Sequence, residues 1–233
     1  MNTIFYDTFN NSPYILHTPG MGKEKAGAFL YFGKENEISI SPKIAIVTIA
    51  TNDVLDYCPL IYQLNKNDIQ YINAAKYYDH SKEWEKVNKL NLLIQAFEEV
   101  TTEYVLVTDA NDVVILRDLD NEFISAWNQY NCNILYNAGQ YNYPKALQVV
   151  KESVEWDNIR NMNVYTNHYL NAGVCFGKSD VIKEFYKSAY DIYESHEYEH
   201  IDSEQYYIKL AYQHRDDVKI DNGCHLFICS HGT

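Results

Sequence analysis

Short apolar runs separated by polar and amphipathic stretches extend over most of the chain. The run at residues 43–51 is rich in β-branched residues and nearly continuous, which is typical of a strand that is buried on both faces. Shorter apolar runs predict further strands at residues 104–108, 133–136, 173–176, 218–220 and 225–229. The spacing leaves room for a helix between most of these strands.

Helical periodicity occurs in three of the intervening stretches. Ser81, Ser179 and Asp202 are of residue types that cap helix N-termini, and apolar residues follow each at helical spacing. They predict helices over residues 81–100, 179–195 and 202–214, the first of which would bury Trp84 and Leu90 on one face. Strands that alternate with helices indicate an α/β fold with a mixed, mostly parallel sheet flanked by helices.

The first 42 residues differ from the rest of the chain. Two short apolar segments, 14–17 and 28–32, flank a turn-rich stretch, and Pro42 separates them from the first long strand. This pattern predicts two strands, or one strand and a loop. Because the chain has no internal repeat and no low-complexity linker, we expect one domain over residues 1–233, with 1–42 as an N-terminal segment and 43–233 as the core.

Composition narrows the class of protein. The chain has 233 residues, 46% hydrophobic and 22% charged, which suits a globular protein with a sizeable core. Its formal net charge of −13 argues against nucleic acid or an anionic membrane as the main partner. No apolar run is long enough for a membrane span, and residues 1–20 lack the features of a signal peptide. Five scattered cysteines favour neither a disulfide framework nor a zinc site, so we expect a cytoplasmic protein.

Two acidic residues directly follow a predicted strand. Asp109 and Asp112 come after the apolar run 104–108, at the kind of position where α/β sheets bind ligands. Carboxylates this close together repel each other unless a cation lies between them, and such oxygen ligands suit Mg²⁺ or Mn²⁺. The alternative is an ordinary turn, in which Asp and Asn are common.

Three further motifs each allow a functional and a structural interpretation. Residues 17–23 offer a His for a metal, a Gly for close approach to phosphates and a Lys to neutralise them, or they form a polar turn. The Asn-Ala-Gly at 171–173 places backbone against a ligand, or it starts a strand tightly. The Asp-Ser-Glu-Gln at 202–205 supplies a carboxylate for chemistry, or it caps a helix.

Taken in order, these motifs resemble those of the GT-A glycosyltransferases. Their details look closest to the glycosyltransferase domain of the procollagen lysyl hydroxylases and more distantly to glycogenin, over nearly the whole chain. The resemblance implies a single Rossmann-like domain that uses a UDP-linked sugar donor, with Mn²⁺ or Mg²⁺ as cofactor. The acceptor would be a glycan, a glycoprotein or a small molecule. Because such relatives act in secretory compartments, the missing leader suggests a cytoplasmic microbial or viral protein, or a domain of a longer chain.

The resemblance also implies roles for individual residues. Asp109, Asp112 and His17 match the metal ligands, and either Glu204 or Asp202 matches the carboxylate at the reaction centre. The positions that match contacts to the donor, from the base to the diphosphate, are Thr48, Ala50, Thr51, Lys86, Asp109, Asn111, Asn171, Gly173, Gly20 and Lys23.

The order of the motifs departs from that of these relatives in one respect. The His-x-x-Gly-x-x-Lys motif comes last there, whereas here it begins at His17. A circular permutation accounts for the difference, because permuted chains bring the same strands and loops together when the termini lie close in space. We therefore expect His17, rather than His231, to complete the metal site with Asp109 and Asp112, and Lys23 to reach the diphosphate.

In the glycosyltransferase that the resemblance implies, the metal would offset the negative charge that builds on the diphosphate as the sugar leaves.

Two other classes of protein remain open. A sugar-phosphate nucleotidyltransferase shares the α/β design and the metal, but the Gly-rich basic loop expected after its first strand is absent at 51–54. A non-catalytic module would bind nucleotide sugar and metal without turnover, and a carboxylate of Asp202 or Glu204 facing the donor would argue against it.

Overall fold

The chain has a mixed α/β fold, as the alternation of apolar runs and helical stretches predicts. The computed structural model describes residues 13–19, 37–51, 58–145, 151–152, 167–198 and 200–230. Gly20, Lys23, the apolar segment 28–32 and His231 lie outside the described residues. Within those ranges, no helix is both long and apolar enough to cross a membrane.

A mixed six-stranded sheet forms the centre of the fold. The strands are β1 (Ile15–His17), β2 (Ile44–Ile49), β3 (Ile72–Asn73), β4 (Tyr104–Asp109), β5 (Val113–Ile115), β6 (Ile134–Gly139), β7 (Tyr169–Lys178), β8 (Val218–Asp221) and β9 (Phe227–Cys229). Six of them follow the order β3-β2-β4-β7-β6-β8. The β2–β3, β2–β4 and β6–β8 pairs are parallel, whereas β7 runs antiparallel to β4 and β6. The predicted core strands are confirmed, and parallel pairs outnumber antiparallel ones.

Helices cover both faces of this sheet. The described α-helices are α1 (Pro59–Lys66), α2 (Asn88–Phe97), α3 (Asn121–Asn128), α4 (Ser179–Glu194) and α5 (Glu204–Tyr212). On one face, Val105 of β4 packs in the same cluster as Phe185 and Tyr207 of α4 and α5. On the other, Leu106 packs with Trp127 of α3. Alternate residues of one strand thus feed two apolar layers, and each large side chain so buried contributes about 1.5–3 kcal/mol.

The helix predicted to start at Ser81 starts only at Asn88, so the prediction is wrong for residues 81–87. The amide and the hydroxyl of Ser81 donate to Oδ1 of Asp79, at 3.0 and 2.7 Å. This local pairing competes with the hydrogen bonds of a helix start. Trp84 consequently remains 36% exposed instead of joining the apolar face of the helix.

Two short helices, α1 and α3, are not predicted by the sequence pattern. Asp120 caps α3, because its Oδ1 accepts hydrogen bonds from the amides of Glu122 and Phe123. Pro59 occupies the start of α1, a position that suits proline. Both start signals are readable in the sequence, but each helix has only eight residues, which is too few for a clear helical period.

A second, three-stranded sheet brings the N-terminal segment to the acidic motif. β1 lies between β5, its antiparallel partner, and β9, its parallel partner. The register sets His17 opposite Val113 and Cys229. Because β5 begins directly after Asp112, this pairing carries His17 to the end of β4. The strand predicted at residues 14–17 is therefore confirmed, and it lies within the folded core.

Candidate metal centre and substrate cleft

His17, Asp109 and Asp112 meet at one point beyond the end of β4. Nε2 of His17 lies 3.5 Å from Oδ1 of Asp112 and 4.0 Å from Oδ2 of Asp109. One ligand atom from each of the three residues falls within 4.8 Å of the others. These separations fit three atoms that surround a cation at about 2.0–2.3 Å, and one nitrogen with two carboxylate oxygens suits Mn²⁺ or Mg²⁺.

The imidazole of His17 has an unused binding atom that faces the carboxylates. Its side chain is only 2% exposed, and Nε2 has no hydrogen-bond partner among the described residues. A buried polar atom without a partner is costly, so a ligand is expected at this position. The residues present therefore fit a divalent cation.

Electrostatics at this point favours a positive charge. Burial by itself lowers the pKa of His17, but the nearby side chains of Asp112 and Cys229 outweigh it and raise the pKa to about 10. Burial likewise tends to raise the pKa of Asp109, whereas the charges of Lys89 and His17 lower it below its usual value. The carboxylates thus attract a cation at Nε2, whether a proton or a metal ion.

Gly173 forms the seat of the His17 ring. A Cβ added to Gly173 would lie 2.1 Å from Cε1 of the imidazole and 2.5 Å from Nε2. Only glycine allows so close an approach. The resemblance assigns Gly173 a contact with the donor; the structure places it beneath a metal-ligand candidate. Asn171, also assigned to the donor, accepts a hydrogen bond from the amide of Gly173 through its Oδ1 at 2.9 Å.

Lys89 links the metal centre to one candidate for the reactive carboxylate. Its Nζ donates to Oδ1 of Asp109 at 2.9 Å and to Oε1 of Glu204 at 3.1 Å. Burial tends to lower the pKa of Lys89, but the two carboxylates outweigh it and raise the pKa, so the ammonium stays charged. The sequence pattern indicates Lys86 and gives no signal for Lys89. Lys86 precedes α2 and Lys89 lies in its first turn, and both line the cleft beside the metal centre.

The two candidate carboxylates take different directions. Glu204 begins α5 and points to Lys89, with 14% of its side chain exposed. Asp202 instead accepts a hydrogen bond from the amide of Val87 at 3.2 Å. Asp202 is not the cap of α5: Ser203 holds that position, and it makes no capping bond through its side chain. The prediction that Asp202 caps the helix is wrong, because its carboxylate fastens the segment before α2.

Gln205, next to Glu204, fixes the start of α5 against two other segments. Its Oε1 accepts the amide of Ala172 at 2.8 Å, and its Nε2 donates to the carbonyl of Tyr143 at 2.6 Å. Tyr143 also meets Lys86, whose Nζ lies 3.4 Å from the phenol oxygen. The helix end that carries Glu204 is therefore fixed in place, whereas Tyr143 is exposed at the surface and contacts Lys86 there.

A cleft of about 710 Å³ opens beside the metal centre. Its lining includes Thr51, Trp84, Lys86, Lys89, Asn111 and Asp112. Thr51, Lys86 and Asn111, which the resemblance assigns to donor contacts, thus lie at the cleft, and their contact with a donor stays a prediction. The volume is in the range of sites that bind nucleotide-sized ligands.

Thr48 and Ala50, which the resemblance assigns to the nucleotide base, are buried rather than on the cleft wall. The hydroxyl of Thr48 donates to the carbonyl of Thr108 at 2.7 Å. The amide and carbonyl of Ala50 are both bonded to the side chain of Asn73, at 3.0 and 2.8 Å. Their side chains are at most 1% exposed. These bonds hold the end of β2 in place beside β3 and β4.

Comparisons with known proteins give only distant likenesses. No family model matches the chain, and no curated protein matches it. Among solved structures, a nucleoside-diphosphate-sugar pyrophosphorylase from Vibrio cholerae is 13% identical, with 95% of this chain and 85% of that chain covered and a TM-score of 0.36. A 4-diphosphocytidyl-2C-methyl-D-erythritol synthase from Anaerococcus prevotii is 13% identical, with 94% and 83% covered and a TM-score of 0.34.

A third solved structure, glucosyl-3-phosphoglycerate synthase from Mycobacterium tuberculosis in complex with Mn²⁺ and UDP, is 8% identical. The match covers 93% of this chain and 78% of that chain, with a TM-score of 0.35. Likenesses at this level do not define a family for the chain. The function proposed below therefore depends on the residues of the site itself.

Proposed function

We propose that the protein is a metal-dependent glycosyltransferase that takes a sugar from a nucleotide-sugar donor, UDP-linked, and passes it to an acceptor hydroxyl. The observation that carries the proposal is the cluster of His17, Asp109 and Asp112 at the mouth of a large cleft, with a buried Nε2 that has no partner in the described ranges. The same acidic motif and His carry the resemblance to GT-A enzymes, which arose from the sequence alone.

The proposed division of labour follows from the chemistry of the leaving group. A divalent cation held by His17, Asp109 and Asp112 supplies positive charge for the diphosphate. Thr51 and Asn111 line the part of the cleft assigned to the nucleoside. Lys23, outside the described residues, is proposed to contact the diphosphate.

Glu204 is the proposed reactive carboxylate, because it is linked to the candidate metal centre through Lys89. Nζ of Lys89 donates to Oε1 of Glu204 at 3.1 Å and also to Oδ1 of Asp109. From this position it serves either as the base for the acceptor hydroxyl or as a stabiliser of the oxocarbenium-like sugar. Asp202 is the weaker candidate, since the amide of Val87 occupies its Oδ1. A carboxylate beside the metal centre also favours an enzyme over a non-catalytic binding module.

A screen for donor hydrolysis tests the proposal. The purified protein is incubated with a panel of UDP-sugars, with Mn²⁺ or with a chelator, and released UDP is measured. We expect Mn²⁺-dependent release from one donor class, and a large loss of release in Glu204→Gln. Glu122→Gln, a change of the same kind at an exposed residue of α3, is the matched control and should behave as wild type.

Two outcomes would contradict the proposal. Release of pyrophosphate from a nucleoside triphosphate and a sugar phosphate, without donor cleavage, would identify a nucleotidyltransferase. Tight UDP-sugar binding with Mn²⁺, but without turnover in the presence of any acceptor class, would identify a binding module.

A further inference from the structure

Asn137 lies behind the imidazole of His17, on the ring edge opposite the carboxylates. Its side-chain amide is 3.1 Å from Nδ1 of His17. Both side chains are buried, with 0% of Asn137 and 2% of His17 exposed. Asn137 is an inner residue of β6, paired with Asn171 of β7 on one side and Asp221 of β8 on the other. The contact is therefore rigid and shielded from water.

The hydrogen-bond partner of Nδ1 determines whether Nε2 of His17 has a lone pair that can bind a metal ion. A neutral imidazole carries one proton, and only the form with the proton on Nδ1 has a lone pair on Nε2 for a metal ion. An amide oxygen can only accept a hydrogen bond, whereas an amide nitrogen can only donate one. The atom that Asn137 turns toward His17 thus selects the metal-binding form or the form that excludes a metal.

Two buried atoms without hydrogen-bond partners among the described residues favour the metal-binding form of the His17 imidazole. With the amide nitrogen of Asn137 toward Nδ1, the described residues offer no hydrogen-bond partner to Oδ1 of Asn137 or to Nε2 of His17. A half-turn of the amide brings Oδ1 to Nδ1, where it accepts the Nδ1–H. Nε2 then directs its lone pair toward Asp109 and Asp112, and a cation there gives it a partner.

We infer that Asn137 is a positioning residue for the metal centre: its side-chain oxygen accepts the Nδ1–H of His17 and so fixes the ring in the form whose Nε2 binds a divalent cation. The inference rests on the proposed metal site and extends it to a residue that touches neither cation nor substrate. Gly173 supports the ring from its face, and Asn137 fixes it by its edge.

Mn²⁺ binding, measured by electron paramagnetic resonance on the full chain without substrate, tests the inference. Asn137→Leu keeps the size of the side chain but removes the acceptor, and we expect it to weaken Mn²⁺ binding about 10–100-fold. Asn137→Asp keeps an acceptor oxygen and should bind Mn²⁺ at least as tightly as wild type. Asn133→Leu, the same change just before β6, removes a bond to Asp217 far from His17 and should leave Mn²⁺ affinity unchanged.

Nitrogen NMR of ¹⁵N-histidine-labelled protein gives a second readout that a merely structural role would not move. With diamagnetic Mg²⁺ bound at Nε2, Nδ1 of His17 must carry the proton, and we expect the signal of that proton to show a hydrogen bond to an oxygen acceptor. Absence of this hydrogen bond, or a proton on Nε2, overturns the inference even if Asn137→Leu does not fold. Unchanged Mn²⁺ affinity in Asn137→Leu, or an equal loss in Asn137→Asp, overturns the inference alone. Failure of wild type to bind Mn²⁺ overturns the proposed metal site as well.

Discussion

The backbone amide of Thr18 donates a hydrogen bond to the carbonyl oxygen of Asp112 at 2.9 Å, and the Thr18 hydroxyl lies 3.3 Å from the same oxygen. These two residues are 94 positions apart in the chain. Thr18 directly follows His17, and Asp112 is itself part of the candidate metal cluster. This contact therefore aligns the His17 ring with the acidic turn.

Asp112→Ala is expected to abolish metal-dependent donor binding. The diphosphate would lose its counter-ion, which should reduce turnover by about 10³-fold, on the order of 4 kcal/mol in the barrier. Calorimetry of UDP with and without Mn²⁺ measures the effect on binding. Asp118→Ala, at a carboxylate that bonds the amide of Ser39, is the control and should retain the Mn²⁺ effect. Equal UDP affinity in wild type with and without Mn²⁺ would remove the metal from the mechanism.

Glu204→Gln and Asp202→Asn should have opposite consequences. Glu204→Gln is expected to bind UDP-sugar normally but to turn it over far more slowly, because the carboxylate beside Lys89 is neutralised. Asp202→Asn weakens the bond to the Val87 amide and should cost about 1 kcal/mol of unfolding free energy while turnover persists. Parallel kinetics and urea denaturation separate the two. Near-normal turnover in both variants would exclude this segment from the chemistry.

Lys89→Met should affect both stability and activity. Without the ammonium, Asp109 and Glu204 lose a shared hydrogen-bond donor, and the half-buried carboxylates repel each other. We expect a loss of about 1–3 kcal/mol in unfolding free energy, together with a marked fall in kcat. Lys183→Met is the matched control, because Lys183 pairs with Glu98 rather than with a carboxylate of the cluster. If both variants behave alike, the Lys89 bridge has no special role.

Gly173→Ala should remove the metal site while most of the fold persists. The added Cβ would overlap the His17 imidazole, which must turn away from the carboxylates. Gly177→Ala is an informative contrast, because its Cβ would lie 2.1 Å from the carbonyl oxygen of Asn133, a backbone atom that cannot move aside. We expect Gly173→Ala to lose Mn²⁺ binding with a modest fall in Tm. Gly177→Ala should lose Tm but, while folded, keep Mn²⁺ binding.

The pair of Asp217 and Arg215 predicts a small acid-sensitive part of the stability. The hydrogen bond from Arg215, at 2.8 Å, is the main cause that lowers the pKa of Asp217 from 3.8 to about 2. A carboxyl with a lower pKa in the folded state stabilises the fold above its unfolded pKa. That contribution is lost as the pH falls from about 4 through 2. Both side chains are partly exposed, so solvent screens the pair and Asp217→Asn should cost only about 0.5–1 kcal/mol at neutral pH.

Urea denaturation of wild type and Asp217→Asn tests this prediction. The difference in unfolding free energy should shrink in high salt and disappear near pH 2. A difference that persists unchanged at that pH would show that the pair stabilises the fold by packing rather than by charge.

Local signals account for much of the fold that sequence analysis predicts. The β-branched run of β2 and the periodic stretch of α4 each carry their own pattern, so both appear close to their predicted bounds. The predicted cap Ser179 is wrong, because Ser179 is the first residue of α4 and Lys178 holds the cap position without a side-chain capping bond. Ser81 is also a residue type that caps helices, but its hydroxyl donates to Asp79 instead. Composition and periodicity do not reveal this competition between neighbouring side chains, so the helix start was predicted too early.

The candidate site shows a similar division. Asp109 and Asp112 stand out because they follow an apolar strand, and the structure places them at one point with His17. Lys89 and Asn137 could not be found in this way, because their roles depend on partners across the sheet. The pairing of a short strand and a helix start that lies about two turns later than predicted affect which polar side chains face the site.

The pairing of β1 with β9 also implies an order in which the parts of the candidate site assemble during synthesis. During synthesis, His17 emerges long before the acidic turn, because 91 residues lie between His17 and Asp109. The strand that flanks His17 on its parallel side, Phe227–Cys229, emerges more than 100 residues later. Parallel pairing across such a distance forms late in folding. The growing chain thus exposes its two carboxylates without a fixed histidine, and the proposed metal site is complete only when β9 has joined the core.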